Sequence, residues 1–389
     1  MPFLYFLENN SLTSYFARYN LCGHFPNERV TNNLEKSNNE CTSKGGTIMP
    51  NNSKSKKQPV AVFFGCDNKY VKFLSVALVS LIANASARRH YEIHVLHTDI
   101  TEENQRTIQA MATENISIAF DNVEADLHHI VDQLPVRDYY SLSTYFRFVI
   151  ADKFKQYDKA IYVDSDTAIV ADIAKLFDIN IGNKYLAAVQ DAVVATVPVA
   201  SAYVQKVLGV RPEYYFNAGM IVINCKQWRE HDVLGQFIQL VGFYNFVVAQ
   251  DQDYLNVICK NKTYPLSKRW NCQSLKLWGI NPNDLGIIHY NFGLKPWHDI
   301  NCLYSEYFWK YAPLSPYFME IKAEFARITP EEMESKRAVG AKVITMCQEE
   351  IDRKDNFMAL VSKKRTAQPL ISQHQEMVDL VSRIRYVNA

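Results

Sequence analysis

The residues with the clearest chemical potential are Asp164 and Asp166, which flank Ser165 within the apolar run KAIYVDSDTAIV at 159–170. In an extended strand, residues two apart point to the same side, so the two carboxylates converge if strand geometry continues. Converging carboxylates repel unless a proton or a cation lies between them. Hard divalent cations such as Mg²⁺ and Mn²⁺ take oxygen ligands and keep positions open for substrate phosphates. Two chemistries fit a metal held there. One is phosphoryl transfer with the first Asp as nucleophile. The other is glycosyl transfer from a nucleotide sugar, where the cation neutralises the departing diphosphate. The phosphatase pattern expects Thr or Val two places after the second Asp, whereas Ala168 stands there and Thr167 comes one place early. That pattern also usually opens its domain, and here three predicted strands precede it.

The segments that position this pair alternate between strand and helix from Pro59 onward. PVAVFFGC (59–66) reads as a buried strand ending in a turn, and VKFLSVALVSLIANA (71–85) as a buried helix. EIHVLHT (92–98) and ISIAF (116–120) read as strands around TEENQRTIQAMATE (101–114), which opens like a capped helix. This alternation predicts an α/β fold with a doubly wound, mostly parallel sheet. Ligands of such sheets bind beyond the carboxyl ends of the strands. Further strands are predicted in YLAAVQDA (185–192), in YFNAGMIVINCKQW (215–228) with Asn217 near its start, and in LGIIHYNFGLKPW (285–297), ending at His289. Helices are predicted in ADIAKLF (171–177) and GQFIQLVGFYNFVVAQ (235–250), and AQDQDYLNVI (249–258) sets Asp251, Gln252 and Asp253 before a helical run.

Taken together and in order, these motifs resemble the family 8 glycosyltransferases, the retaining group that includes bacterial lipopolysaccharide galactosyl- and glucosyltransferases and glycogenin. The resemblance covers about residues 59–315. It implies a GT-A-type nucleotide-sugar-binding fold with a Rossmann-like sheet. By the match of CDNKY, Asp67 would hydrogen-bond a uracil, Tyr70 would stack on it, and Gly65 would supply a backbone contact. Arg147 in LSTYFRF matches an Arg that touches donor sugar and phosphate, and Asp164 and Ser165 join the donor contacts. Asn217 in YFNAG takes a sugar-hydroxyl role, while Asp251 and Gln252 in DQD face the donor sugar; Asp191 also matches the family pattern. HYNFGLKPW gives His289 as third metal ligand beside Asp164 and Asp166, and Lys295 as a diphosphate contact. There is one departure: Phe292 stands where many members have Gly, with Gly293 one place later. Two carboxylates and an imidazole suit Mn²⁺ better than Mg²⁺, because imidazole is the softer ligand.

What the resemblance implies is a Mn²⁺-dependent transfer of a hexose, glucose or galactose, from a UDP-sugar to a saccharide or glycoconjugate acceptor, in polysaccharide biosynthesis. A non-catalytic sugar-nucleotide-binding protein and a metal-dependent phosphatase are the alternatives. Each residue alone has a blander reading: Arg147 as a surface ion-pairing group, Asn217 as a turn cap, His289 as a structural core histidine.

Composition narrows the partners. With 42 Lys plus Arg against 41 Asp plus Glu, the formal charge is +1, which argues against a nucleic-acid partner. The eight cysteines include no Cys-x-x-Cys pair and read as reduced residues of a cytoplasmic protein. The opening MPFLYFL lacks the basic start of a signal peptide. Residues 1–58 are rich in Asn and Ser and predict a disordered lead, with Met49 an alternative start. Residues 59–315 form the expected catalytic domain and 316–389 a helical extension, within which MVDLVSRIRY has amphipathic spacing. That extension leaves open a peripheral contact at the inner face of a membrane and oligomerisation through its helices. The aromatic cluster Tyr304, Tyr307, Phe308, Trp309, Tyr311, Tyr317 and Phe318 has two readings, a sugar- or membrane-facing surface or a hydrophobic cover for the sheet.

Overall fold

The strand that anchors the fold is apolar along its whole length. β1 (Val60–Gly65) is buried at every position, as expected of a strand covered on both faces by helices. The computed structural model describes residues 58–128, 134 and 142–366. The predicted disordered lead before residue 58, the alternative start at Met49 and the amphipathic segment after residue 376 lie outside the described residues. β2 (Tyr91–His97) and β3 (Ile116–Asn122) continue outward from β1, and β4 (Lys159–Asp164) lies on its other side, all parallel. β7 (Phe216–Asn224) runs antiparallel to β4 and to β6 (Leu186–Gln190), and β8 (Thr263–Pro265) closes the edge. The seven-stranded order is β3-β2-β1-β4-β7-β6-β8. The expected mostly parallel α/β sheet is therefore present, with β7 its single reversed strand.

The apolar run in 159–170 delivers the aspartate pair to a strand's end, as its composition predicts, but the chain does not stay in that strand beyond it. β4 stops at Asp164, the chain bends through Ser165 and Asp166, and β5 (Thr167–Ile169) joins a second sheet of order β5-β10-β9. The carboxylates thus meet at a bend between two sheets and not along one strand. β10 (Ile287–His289) pairs antiparallel with β5, which sets His289 opposite Thr167. β9 (Cys272–Gln273) pairs parallel with β10, setting Gln273 beside His289. The site therefore lies where the carboxyl ends of β1 and β4 face the small sheet; Gly65 is registered against Asp164.

Helices seal the sheet. α1 (Val71–Asn84) follows β1 and is buried along ten of its positions, and α2 (Glu102–Gln109) is capped by the Thr101 hydroxyl. Downstream come α3 (Ala192–Thr196), α4 (Pro198–Lys206), α5 (Val233–Phe243) and α6 (Asp251–Ile258). The predicted helix 235–250 is shorter than its apolar run: α5 ends at Phe243, where Tyr244 turns extended. The chain then reaches α6 through Gln250 at φ 47°, a backbone disfavoured for a side chain with a Cβ. Phe237 of α5 stacks on Phe148 at 3.7 Å between centroids, and burying such a ring contributes about 1.5–3 kcal/mol.

Four residues of the aromatic cluster, Phe308, Trp309, Tyr311 and Tyr317, resolve as buried cover, while Tyr304, Tyr307 and Phe318 stay partly exposed. On α7 (Ser305–Tyr311), Phe308, Trp309 and Tyr311 are buried, and the Trp309 indole donates to the Pro296 carbonyl at 3.2 Å. Trp297 stacks on Phe73 of α1 at 3.9 Å. After α8 (Phe318–Arg327), α9 (Pro330–Asp352) starts with a capping box in which Thr329 and Glu332 exchange bonds, and α10 (Phe357–Thr366) follows. Cys66, Cys225, Cys259, Cys272 and Cys347 are buried free thiols. Among the described residues no helix is long and apolar enough to cross a membrane.

Candidate active site

A cavity of about 450 Å³ opens at the strand ends. Its polar lining comprises Gly65, Asp67, Tyr70, Arg147, Asp164, Ser165, Asp166, Asp191, Asn217, Asp251, Gln252, His289 and Lys295 among others. Every residue to which the sequence assigned a site role thus reaches one chamber. Its apolar lining includes Val194, Ala200 and Val204 from α3 and α4 and Val339, Val343 and Ile344 from α9.

Asp164, Asp166 and His289 each bring one ligand atom to within 4.8 Å of the others. His289 Nε2 lies 3.6 Å from Asp164 Oδ2 and 3.3 Å from Asp166 Oδ1, spacings that suit ligands each about 2.1 Å from one cation. Asp166 Oδ1 is buried without a hydrogen-bond partner. An orphaned carboxylate oxygen beside a second carboxylate is what a cation site leaves when its protein atoms alone are considered, so this donor set fits a divalent metal. Lys295 Nζ is paired with Asp166 Oδ2 at 2.5 Å. Burial would push the Asp166 carboxyl up, but Lys295, with His289 beside it, holds it well below the ordinary range.

Arg147 is only 1% exposed, which rules out the surface ion-pair reading. Its guanidinium lies over the Tyr162 ring at 4.2 Å and ties two carboxylates together, Asp164 Oδ1 at 3.0 Å and Asp251 Oδ2 at 3.3 Å. Its Nε also donates to the Thr144 carbonyl and Nη1 to that of Ala218. Burial pushes the Asp251 carboxyl up to about 7 against the pull of Arg147. Burial likewise lifts Asp253 to about 6, although the hydroxyls of Tyr215 and Tyr203 and the Ala249 N–H donate to it.

A second polar group forms where α3, β7 and α6 begin. Asp191 caps α3 through Oδ1, accepting from the N–H groups of Val193 and Val194. Its Oδ2 accepts from Asn217 Nδ2 at 3.1 Å and Gln252 Nε2 at 3.2 Å. Gln252 Oε1 in turn accepts from the Ala218 N–H at 3.0 Å. These three side chains are thereby held as one rigid cluster.

The β1 end is organised by its turn. Asp67 Oδ1 accepts from the Tyr70 N–H at 3.0 Å, and burial raises its carboxyl above the ordinary value. Tyr70 sits edge-on to Phe73 and Trp297. The Ser165 hydroxyl donates to the Gly65 carbonyl at 2.9 Å, joining the ends of β1 and β4.

Two residues gain a role only in three dimensions. A Cβ on Gly219 would sit 2.0 Å from His289 Cε1 and 2.7 Å from Asp164 Oδ2, so glycine is what lets β7 pass beneath the triad. Asn271, fully buried, contacts His289 Nδ1 at 3.1 Å, and nothing in its local sequence signals this. The Phe292–Gly293 departure also has a cause: a Cβ on Gly293 would lie 2.2 Å from the Lys336 carbonyl of α9. The glycine stands where the loop meets the helix.

Comparison with known proteins places this geometry. A family model described as glycosyl transferase family 8 matches residues 61–301. A putative glycosyltransferase of Haemophilus influenzae is 33% identical over 217 residues, covering 55% of this chain and 63% of the relative. A lipopolysaccharide 1,3-galactosyltransferase of Salmonella typhimurium is 28% identical over 277 residues, covering 67% of this chain and 77% of the relative. Among solved structures, the bifunctional glycosyltransferase WbbM is 26% identical with TM-score 0.61, covering 72% of this chain and 53% of WbbM. The galactosyltransferase LgtC, solved with donor and acceptor sugar analogues, is 27% identical with TM-score 0.56, covering 71% of this chain and all of LgtC. The chain thus spans less than two thirds of the Haemophilus relative and of WbbM.

Two outcomes follow from this geometry. Gly219→Ala forces the His289 ring and the Asp164 carboxylate apart, since carbon atoms pack no closer than about 3.5 Å; calorimetric titration should show divalent-metal affinity lost while the circular dichroism spectrum is kept. Asp251 and Asp253, ordinarily near 3.8, bind protons more tightly folded than unfolded. Their contribution to stability is complete below that value and is lost as pH rises through about 6 to 7. The metal-free Tm should therefore fall between about pH 4 and about pH 7 and level off above that, and fall less steeply in Asp251→Asn; equal slopes would contradict the assignment.

Proposed function

The chain belongs to glycosyl transferase family 8, and on that footing we propose that it is a retaining hexosyltransferase. It moves glucose or galactose from a UDP-sugar to a saccharide or glycoconjugate acceptor, with Mn²⁺ as its metal. The observation that carries this reading is the convergence of Asp164, Asp166 and His289 in the same chamber as the Asp191–Asn217–Gln252 cluster. When bound, the metal supplies positive charge to the departing diphosphate. Residues 59–315 form the catalytic region in this reading, and 316–389 a helical extension that contributes α9 to the cavity wall.

The roles divide by position. Gly65, Asp67 and Tyr70, on the turn after β1, take the uracil. Asp164, Asp166 and His289 hold the metal, and Lys295, already against Asp166, compensates charge on the diphosphate. Asn217, Gln252 and Asp191 bind sugar hydroxyls, their orientations fixed by the α3 cap and the Ala218 N–H. Arg147 holds Asp164 and Asp251 in register and completes the donor side.

Retention follows from attack on the face the diphosphate leaves. The bond from the anomeric carbon to the phosphate oxygen breaks, the acceptor oxygen bonds on the same face, and its proton passes to the leaving phosphate. Two features support this over a double displacement. Asp251 is engaged by Arg147, and Gln252 Oε1 is engaged by the Ala218 N–H, which leaves neither poised as a nucleophile. The apolar wall contributed by α4 and α9 supports a location for the acceptor.

A panel of UDP-hexoses scored for Mn²⁺-dependent UDP release tests the reading. UDP-glucose or UDP-galactose should be turned over, and Asp164→Asn and Asp166→Asn should each lower the rate by about a hundredfold or more. Metal-dependent UDP binding with no release from any donor or acceptor would make the chain a silent binding protein. Hydrolysis of phosphomonoesters, lost in Asp164→Asn, would instead favour the phosphatase. A covalent glycosyl adduct on Asp251 or Gln252 would sink the same-face route.

A further inference from the structure

We propose that Asn271 is a positioning residue that selects the ring tautomer of His289 and so presents Nε2 to the metal; the proposal rests on the metal site described above. The argument starts from a backbone group whose polarity is not in question. The Gly219 N–H donates to the side chain of Asn217 at 3.1 Å, so the Asn217 atom facing it is the oxygen, Oδ1. The other end of that amide, Nδ2, donates to the Asp191 carboxylate at 3.1 Å, which can only accept.

Asn217 Oδ1 also faces Asn271 at 2.9 Å. An oxygen accepts, so Asn271 presents its Nδ2 there and turns its Oδ1 the other way. That Oδ1 lies 3.1 Å from His289 Nδ1, which therefore carries a proton. The nitrogen left for metal binding is Nε2, the atom that faces Asp164 Oδ2 and Asp166 Oδ1. The opposite amide orientation would set two oxygens against each other at the Asn217 contact. The polarity of the whole chain is thus fixed from both ends, by a backbone donor and by a carboxylate that itself caps α3.

Placement agrees with this role. Asn271 ends a short 3₁₀ turn, Lys268–Asn271, immediately before β9, and the pairing of β9 with β10 brings it beside His289. It is completely buried and does not line the cavity, so it acts through His289 and not on substrate. A ligating histidine whose second nitrogen loses its partner typically loses about 10–100-fold in metal affinity. Asn217 consequently belongs to both groups: its Nδ2 contributes to the sugar-side cluster and its Oδ1 to the relay that orients the metal ligand.

The test measures Mn²⁺ affinity of the full chain without any donor, from the paramagnetic resonance signal of free Mn²⁺. Asn271→Leu should weaken binding about 10–100-fold. Asn271→Asp keeps an acceptor for Nδ1–H and should hold affinity within about threefold, although it loses thermal stability because its second oxygen faces Asn217 Oδ1. Affinity and stability then separate, which a purely structural asparagine would not produce. Asp164→Asn serves as the control for the metal site. If it abolishes binding while folded Asn271→Leu stays within about twofold of the original, the role of Asn271 is overturned and the metal site stands. If the unsubstituted protein binds no Mn²⁺, both fall. Should Asn271→Leu fail to fold, ¹⁵N-histidine NMR of the unsubstituted metal-free protein at alkaline pH decides: protonated Nδ1 is expected for His289, and protonated Nε2 overturns the proposal.

Discussion

Two carboxylates, Asp164 and Asp166, are held against a third side chain able to ligate a metal, His289, at the meeting point of two sheets. Carboxylates in such a place repel, and the cost grows as water is excluded. Almost every neighbouring feature answers that repulsion. Lys295 pairs with one oxygen of Asp166 and Arg147 with one oxygen of Asp164. Each carboxylate thus has one oxygen matched to a protein cation and one turned inward toward His289. The inward pair is what a divalent ion would neutralise. The chain's near-zero net charge is consistent with this, because the positive charge the chemistry needs is local.

The fold creates that place through a change of sheet. Had 159–170 continued as one strand, Asp164 and Asp166 would share a face but His289 would have no route to them. Breaking at Ser165 lets β5 pair with β10, and this antiparallel register carries His289 back over the bend. β7, the reversed strand of the main sheet, then passes beneath with Gly219, where any side chain would strike the imidazole. The Asp191–Asn217–Gln252 cluster hangs from the same strand two residues earlier, at Asn217. The candidate metal triad and this cluster are therefore two ends of one hydrogen-bonded network, joined through Asn217 and Asn271.

Much of this was legible in sequence, and for identifiable reasons. Strands β1 and β4 announce themselves because a strand buried on both faces must be a short, nearly unbroken apolar run, and an acidic residue at or just beyond its end stands out. The end of β4 at the aspartate pair was legible, but the start of a second sheet at Thr167 was not, since only tertiary pairing with β10 makes β5 a separate strand. The helix predicted over 235–250 ran too long for a similar reason: Tyr244 and Phe246 are aromatic because they pack against Phe357 of α10 and, for Phe246, Tyr254 of α6, not because they are helical. Arg147 was visible as a candidate, but not its deep burial between two carboxylates. Asn271 carried no signal at all. Its partner in space comes from a strand pairing some eighteen residues away, and a single Asn in RWNCQ has no periodicity to betray it.

The central claim is that Asp164, Asp166 and His289 Nε2 converge on one divalent cation. Anomalous diffraction from crystals grown with Mn²⁺ and UDP examines it most directly. The account predicts one strong anomalous peak about 2.1–2.3 Å from an oxygen of each aspartate and from Nε2. A Mn²⁺ peak elsewhere, or none at this position with Lys295 and His289 alone neutralising Asp166, would contradict it.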